Sequence, residues 1–186
     1  MASGIVKVEM LSLITRSDYS VMRRANNWVA PRWVRAYVIS STRCGDGWLW
    51  YAMGLAILLF GGEYRFEALG AAGISATLSV LLFLCLKRLA GRPRPCQIEP
   101  HCWATLLPPD QFSFPSGHTM TAFAVAIPLA LFYPALTAGL LFCAFSVAIS
   151  RILLGMHFLS DVLAGAVLGV AIGCGSITTF ASFGLA

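Results

Sequence analysis

The chain has 186 residues, of which 58% are hydrophobic and only 11% are charged, and its net charge is +5. Soluble domains carry roughly a quarter charged residues, so this composition excludes an ordinary soluble fold. The apolar residues also occur in long blocks, as in proteins that cross a bilayer. The positive charge lies before the first block and in one central loop. It favours anionic lipid headgroups or phosphorylated substrates as partners and argues against nucleic acid.

Residues 1–46 are predicted to form an N-terminal interfacial segment. An amphipathic helix is expected from about Asp18 to Ile39, with a break or a second turn at Pro31. Its apolar stripe comprises Val21, Met22, Ala25, Trp28 and Val29, and its polar face comprises Arg23, Arg24, Asn26 and Asn27. Two positions fit this pattern equally well: flat on the membrane surface, or packed as a cap on the remaining helices.

Five apolar blocks follow, and they predict membrane helices. They run from about Trp48 to Gly62, Phe66 to Leu86, Gly117 to Tyr133, Ala135 to Leu154, and Phe158 to Phe180. Crossing a ~30 Å hydrocarbon layer takes about 20 helical residues, so only the first block is short. The blocks do not alternate as barrel strands do. We therefore predict an all-α fold, a single-domain polytopic transmembrane bundle of about five to six membrane helices, with residues 47–186 forming the bundle.

Glycines recur in the last apolar block at a spacing that matters for packing. Gly165, Gly169 and Gly173 are each four positions apart, so they lie on one face of a helix. Small residues at this spacing allow two membrane helices to approach closely. We expect the last helix to pack tightly on a neighbour through this face.

Polar residues gather at three places beside the apolar blocks. They are Lys87, Arg88, Arg92 and Arg94 after the second block; Ser116, Gly117 and His118 at the start of the third; and Ser150, Arg151, His157 and Asp161 between the fourth and fifth. The second block ends where the third begins across one loop, and the chain then crosses and returns. All three clusters are therefore expected at one membrane face. Charged residues at such positions are costly and point to function.

The first two clusters, with Arg151, are suited to holding a phosphoryl group. Lys87, Arg94 and Arg151 supply positive charge and several hydrogen-bond donors for its oxygens. Ser116 and Gly117 lie at a helix start, where unpaired backbone amides and the helix dipole favour an anion. Taken singly, a basic run beside a membrane helix more often marks topology, and Ser-Gly-His at a helix start is often a cap.

Three further residues supply reactive groups. His157 and Asp161 are four positions apart and would share one face of a helix. The carboxylate can then hold one imidazole nitrogen and leave the other free as a nucleophile. His118 is the candidate proton donor to the leaving oxygen. A His–Asp pair at this spacing can also be a satisfied polar pair or two metal ligands, but the convergence of the clusters favours catalysis.

These residues resemble the three signature motifs of the type 2 phosphatidic acid phosphatase superfamily, which includes vanadium haloperoxidases and glucose-6-phosphatase. The motifs here are Lys87, six residues, then Arg94-Pro95; Pro115-Ser116-Gly117-His118; and Ser150-Arg151, five residues, His157, three residues, then Asp161. The resemblance covers roughly Phe66 to Phe180. It implies that His157 becomes a phosphohistidine, that Asp161 orients it and that His118 protonates the leaving alkoxide.

The same resemblance implies the remaining site residues and the activity. The phosphate would be held by Lys87, Arg94, Ser116, Gly117 and Arg151, with no metal and no cofactor required. The expected function is an integral-membrane lipid phosphatase acting on undecaprenyl diphosphate, phosphatidylglycerol phosphate or phosphatidate. Two alternatives stay open: a lipid-to-lipid phosphotransferase using the same site, and a catalytically silent transporter or binding protein for anionic lipids.

The resemblance also bears on location. Many bacterial members resemble a six-span bundle with an extracytoplasmic site, whereas five blocks are present here. An odd count places the basic N-terminus on the catalytic face, which under the positive-inside rule would be cytoplasmic. From the resemblance alone, we expect the bacterial cytoplasmic (inner) membrane and an extracytoplasmic site. A disulfide between Cys96 and Cys102 would then be possible. The oligomeric state does not follow from the sequence.

Overall fold

The structure, a computed structural model, describes residues 2–99 and 110–182. Within these ranges the chain is helical, and its one β-type contact is an isolated bridge between Pro93 and Phe112. The helices are α1 Ala2–Asn27, α2 Arg32–Cys44, α3 Trp48–Phe60, α4 Arg65–Ala90, α5 Pro95–Ile98, α6 Gly117–Phe132, α7 Thr137–Leu153 and α8 Leu159–Ser182, with a 3₁₀ turn Pro134–Leu136 before α7. The all-α prediction is confirmed. Cys102 lies outside the described residues, so its pairing with Cys96 stays a prediction.

Each of the five predicted apolar blocks forms a helix. Of the described helices, three are long and apolar enough to cross a membrane: α4, α7 with its preceding 3₁₀ turn, and α8. Helices α3 and α6 have 13 and 16 residues, which corresponds to about 20 and 24 Å at the usual rise per residue. Both are therefore shorter than the ~30 Å hydrocarbon layer.

Helix α6 is the central helix and packs against α4, α7 and α8. It is apolar on all sides, and most of its residues are buried, as expected for a helix surrounded by others. The α8 glycines confirm the predicted close approach. A Cβ built on Gly169 would lie 2.4 Å from the backbone oxygen of Met120, and one on Gly165 would lie 2.7 Å from that of Ser116. This contact brings the start of α8 beside the start of α6.

The N-terminal helices pack on this bundle. Helix α1 ends at Asn27 and α2 begins at Arg32, so the predicted break falls around Pro31. Helix α1 contacts α7 and α8, and it buries Met22 and Ala25 while Trp28 and Val29 of the predicted stripe stay exposed. Helix α2 packs along α7. Both N-terminal helices therefore pack on the bundle, and their position at the membrane surface stays a prediction.

The order of the helices places several of their ends at one face. The turn before α3 lies beside the first residues of α6, where Asp46 contacts His118. Helix α3 runs away from this face and α4 returns to it; α6 leaves, α7 returns and α8 leaves. The end of α4, the start of α6, the end of α7 and the start of α8 therefore meet, as the sequence predicted.

Candidate active site

His157 lies in the bend between α7 and α8, and only 1% of its surface is exposed. Its Nδ1 is 2.6 Å from the backbone oxygen of Ser113. Because a carbonyl oxygen only accepts hydrogen bonds, Nδ1 carries the proton and Nε2 carries the lone pair. Nε2 is 3.2 Å from Nη1 of Arg94. The nitrogen with the lone pair thus faces the basic cluster.

The surroundings of His157 keep its ring neutral. Burial lowers the pKa of His157 well below its usual value, and the positive charges of Arg151, Arg94 and Lys87 lower it further. A neutral imidazole with a free Nε2 lone pair is the form that can attack an electrophile. The same three cations would attract the anionic group to be attacked.

Asp161 is fully buried in the first turn of α8. One carboxylate oxygen accepts the N–H of Phe158 at 2.8 Å, and the other accepts Nη1 of Arg92 at 2.7 Å. The predicted hydrogen bond to His157 is absent from the described contacts, since Nδ1 and the carboxylate oxygen are 3.8 Å apart. The reason is that α8 begins only at Leu159, so His157 does not lie on its face. Asp161 therefore lies beside the ring without a hydrogen bond to it.

Arg94 lies 3.2 Å from Nε2 of His157 and is completely buried. Besides His157, its Nη1 donates to the backbone oxygen of Met156 at 2.8 Å. Arg151 is also buried; its Nη1 donates to the Thr42 hydroxyl at 2.6 Å, and its Nε has no hydrogen-bond partner among the described residues. A buried N–H without a partner is costly unless a ligand completes it. An anionic oxygen at this position would do so.

Asp110 is a site residue that the sequence did not identify. Its carboxylate binds both Nη2 of Arg94, at 2.7 Å, and Nζ of Lys87. Burial opposes its ionisation, but hydrogen bonds from Lys87 and Arg94 outweigh burial and lower the pKa of Asp110. Two of the predicted phosphate ligands therefore already hold an anion, and an incoming phosphoryl group must share or displace it.

The start of α6 offers fewer free donors than the sequence suggested. The backbone N–H of Ser116 donates to the backbone oxygen of Asp161 at 3.0 Å, and the Ser116 hydroxyl pairs with that of Thr119 at 2.9 Å. Within the described ranges, the N–H groups of Gly117 and His118 have no acceptor. Unpaired amides at a helix start favour an anion. Of the two residues predicted from this turn, Gly117 presents the available amide.

His118 is held by a residue outside the three motifs. Its Nε2 is 2.8 Å from a carboxylate oxygen of Asp46, in the turn between α2 and α3. Because a carboxylate oxygen only accepts hydrogen bonds, Nε2 of His118 carries a proton, and Asp46 fixes the orientation of the ring. The sequence signal for Asp46 was a single acidic residue between two glycines, just before the first apolar block. That signal does not indicate its partner.

The eight residues predicted from the sequence therefore lie at one end of the bundle, around His157. In the parts of the chain that the structure describes, no three His, Cys, Asp or Glu side chains cluster as ligands for a metal ion. The charged side chains that lower the pKa of His157 are the cations Lys87, Arg94 and Arg151. This arrangement can bind a phosphoryl group and attack it with a neutral imidazole.

Comparison with known proteins gives one family. Residues 68–183 match the model of the PAP2 superfamily. A lipid A 1-phosphatase of Rhizobium johnstonii is 31% identical over 128 residues, which are 67% of this chain and 50% of that protein. A decaprenylphosphoryl-5-phosphoribose phosphatase of Mycobacterium tuberculosis is 36% identical over 137 residues, 68% of each chain. The match thus spans about half the length of the lipid A 1-phosphatases.

Solved structures show the same architecture. The crystal structure of LpxE from Aquifex aeolicus superimposes with a TM-score of 0.74 at 27% identity, covering 87% of this chain and 94% of that one. A transmembrane PAP2 type phosphatidylglycerolphosphate phosphatase from Bacillus subtilis gives 0.69 at 24% identity, with 91% and 87% covered. The second likeness concerns the fold alone.

Proposed function

The chain belongs to the PAP2 superfamily, and from that membership we propose that it is a lipid phosphatase that works through a phosphohistidine on His157. The chain is an integral membrane protein, with apolar helices long enough to cross a bilayer and membrane phosphatases as relatives. The observation that carries the proposal is the neutral ring of His157, whose free Nε2 lies 3.2 Å from Arg94. When the phosphoryl oxygens bind the cations, Nε2 of His157 lies close to the phosphorus atom and can attack it.

Each predicted residue has a role in this proposal. Lys87, Arg94 and Arg151 bind the phosphoryl oxygens, with the N–H of Gly117 as a further donor; Ser116 fixes the start of α6 through its bond to Asp161. Arg94 and Lys87 release Asp110 wholly or in part as the phosphate arrives. These interactions orient the phosphorus and neutralise its charge.

The reaction then takes two steps. Nε2 of His157 attacks phosphorus while the bond from phosphorus to the lipid oxygen breaks, and His118 gives that oxygen its proton. Asp161 stabilises the positive charge that develops on the phosphorylated ring. In the second step His118 takes a proton from water, the resulting hydroxide attacks phosphorus, and inorganic phosphate leaves His157 neutral again.

The substrate is proposed to be an anionic lipid phosphate whose tail remains among the membrane helices. The names of the relatives include lipid A and a decaprenyl-linked phosphoribose. The resemblance of the sequence motifs adds undecaprenyl diphosphate, phosphatidylglycerol phosphate and phosphatidate as candidates. These lipids share a phosphate on a long apolar anchor. The basic cluster binds the phosphate, whereas the apolar helix surfaces contact the lipid anchor.

The test is phosphate release by the purified protein in detergent, measured on these five lipids with and without a chelator. We expect release from at least one lipid, at a rate that the chelator does not change. Adding a second lipid as acceptor checks for phosphotransfer, because a transferase would make phosphorylated acceptor faster than free phosphate. A folded protein that releases nothing from any of the lipids would contradict the proposal, as would activity that the chelator abolishes.

The site is further proposed to face the extracytoplasmic side of a bacterial cytoplasmic membrane, as expected from the resemblance. Arg43, near the site, and Glu63, in the turn between α3 and α4, are exposed positions at opposite ends of α3. Each is replaced by cysteine in a chain whose native cysteines are serine. A membrane-impermeant maleimide added to intact cells should label Arg43→Cys and spare Glu63→Cys. The reverse pattern would place the site in the cytoplasm.

A further inference from the structure

Asp18 is a buried carboxylate on α1, a helix whose arginines are exposed. Only 1% of its surface is accessible, and it lies outside the residues that match the PAP2 superfamily. Burying an ionised carboxylate is unfavourable unless hydrogen bonds and an opposite charge compensate it. The groups that contact Asp18 therefore indicate the role of its negative charge.

Two residues near the active site provide those contacts. One oxygen of Asp18 accepts the backbone N–H of Ser160 at 2.9 Å. The other accepts the Ser160 hydroxyl at 2.6 Å and Nη2 of Arg92 at 2.7 Å. Ser160 is the second residue of α8, so Asp18 satisfies an unpaired amide at the start of that helix. Helix α1 is thereby fastened to the turn that follows His157.

Arg92 joins Asp18 to the site. Its Nη1 donates to Asp161 at 2.7 Å while its Nη2 holds Asp18. The guanidinium also lies over the ring of Phe158, 4.1 Å from its centre, so it is fixed by packing as well as by charge. The network runs from Asp18 through Arg92 to Asp161. The Asp161 oxygen that accepts the N–H of Phe158 is 3.8 Å from Nδ1 of His157.

The charges of this network explain why two carboxylates are present. Asp161 and Arg92 form a neutral pair, so Asp161 by itself would offer His157 little net negative charge. With Asp18 the three side chains carry a net charge of −1. The other charges that act on the His157 ring, from α4, the segment before α5 and α7, are those of Lys87, Arg94 and Arg151, and all are positive. A net negative group is needed to stabilise the ring as it becomes positively charged on phosphorylation.

We propose that Asp18 is a positioning residue for the phosphoryl transfer, which holds Arg92 and supplies the negative charge that lets Asp161 stabilise the phosphorylated His157. This inference rests on the proposed function and extends it to the N-terminal helix. Helix α1 thus belongs to the catalytic unit, because one of its side chains compensates a cation at the site.

The test is Asp18→Asn, which keeps the shape and an acceptor for Ser160 but removes the charge. We expect kcat to fall about tenfold, with KM changed less than about twofold, because the missing charge acts on the reacting ring and not on the bound phosphate. Removing a negative charge lowers the pKa of an imidazole. The acid limb of kcat/KM that reports His157 should therefore move to lower pH, and Asp18→Glu should restore part of kcat.

The matched control is Glu99→Gln. Glu99, just after α5, forms an exposed ion pair with Arg23 of α1 at 3.1 Å. Glu99→Gln removes one charge from a contact of α1 but leaves Asp18, Arg92 and Asp161 unchanged. We therefore expect wild-type kcat and a wild-type pH profile. Thermal unfolding of both variants in detergent shows whether either loses the fold.

An NMR titration of the histidine rings separates this inference from the proposed function, because it needs no turnover. In Asp18→Asn the resonance of His157, assigned with His157→Gln, should titrate at lower pH than in the wild type. If the wild type releases no phosphate but this shift is seen, the proposed function fails and the coupling of Asp18 to His157 stands. Wild-type kcat in Asp18→Asn, or an unshifted titration accompanied by a loss of thermal stability alone, would overturn the inference.

Discussion

Replacing His157 by alanine is expected to lower phosphate release by at least about a thousandfold, because it removes the nucleophile and leaves only the phosphate-binding groups. The ring is buried, with Nδ1 donating to Ser113 and Nε2 facing Arg94. No other described histidine occupies that position. The measurement is phosphate release at saturating lipid, with thermal unfolding to confirm that the variant folds.

The matched control is His118→Ala, the same chemical change in the same site. If His118 is the proton donor, its loss should matter little for an aryl phosphate whose leaving group needs no proton. His157→Ala should be inactive on that substrate as well. With ³²P-labelled lipid, the wild type should carry acid-labile label on the protein and His157→Ala should carry none. Label retained by His157→Ala would assign the nucleophile elsewhere.

Asp161→Asn is expected to lower kcat by about a hundredfold with little change in KM. The carboxylate is fully buried and 3.8 Å from Nδ1 of His157. Two unit charges at about 4 Å interact by roughly 4 kcal/mol at the effective dielectric constant of a protein site, and pairing with Arg92 reduces this. The amide keeps an oxygen for the N–H of Phe158, so the turn at the start of α8 should persist.

Kinetics and stability together decide the role of Asp161. A lower kcat with an unchanged unfolding temperature supports electrostatic stabilisation of the phosphorylated ring. Near-wild-type kcat would show that the Ser113 carbonyl alone orients His157 and would remove Asp161 from the mechanism. The effect should exceed that of Asp18→Asn, because Asp161 is nearer to the ring.

Much of the fold followed from the sequence because membrane helices obey simple rules. Long apolar blocks with few charges predicted the helices, and the glycines of α8 predicted its close packing, since both depend on local composition and helical spacing. The lengths of α3 and α6 were less predictable. Helix ends depend on the neighbouring helices, and Lys87, at the end of one block, proved to lie inside α4.

The sequence by itself determined the class of protein, the eight candidate residues and their common face, because alternating crossings of the membrane assign every helix end to one side. Only the tertiary structure decided how those residues are held. Ser113 and not Asp161 accepts the Nδ1 proton of His157, and Asp46 holds His118. Asp18 reaches Ser160 across 142 positions of the chain. Such contacts depend on how whole helices pack, and the local periodicity of one sequence does not record them.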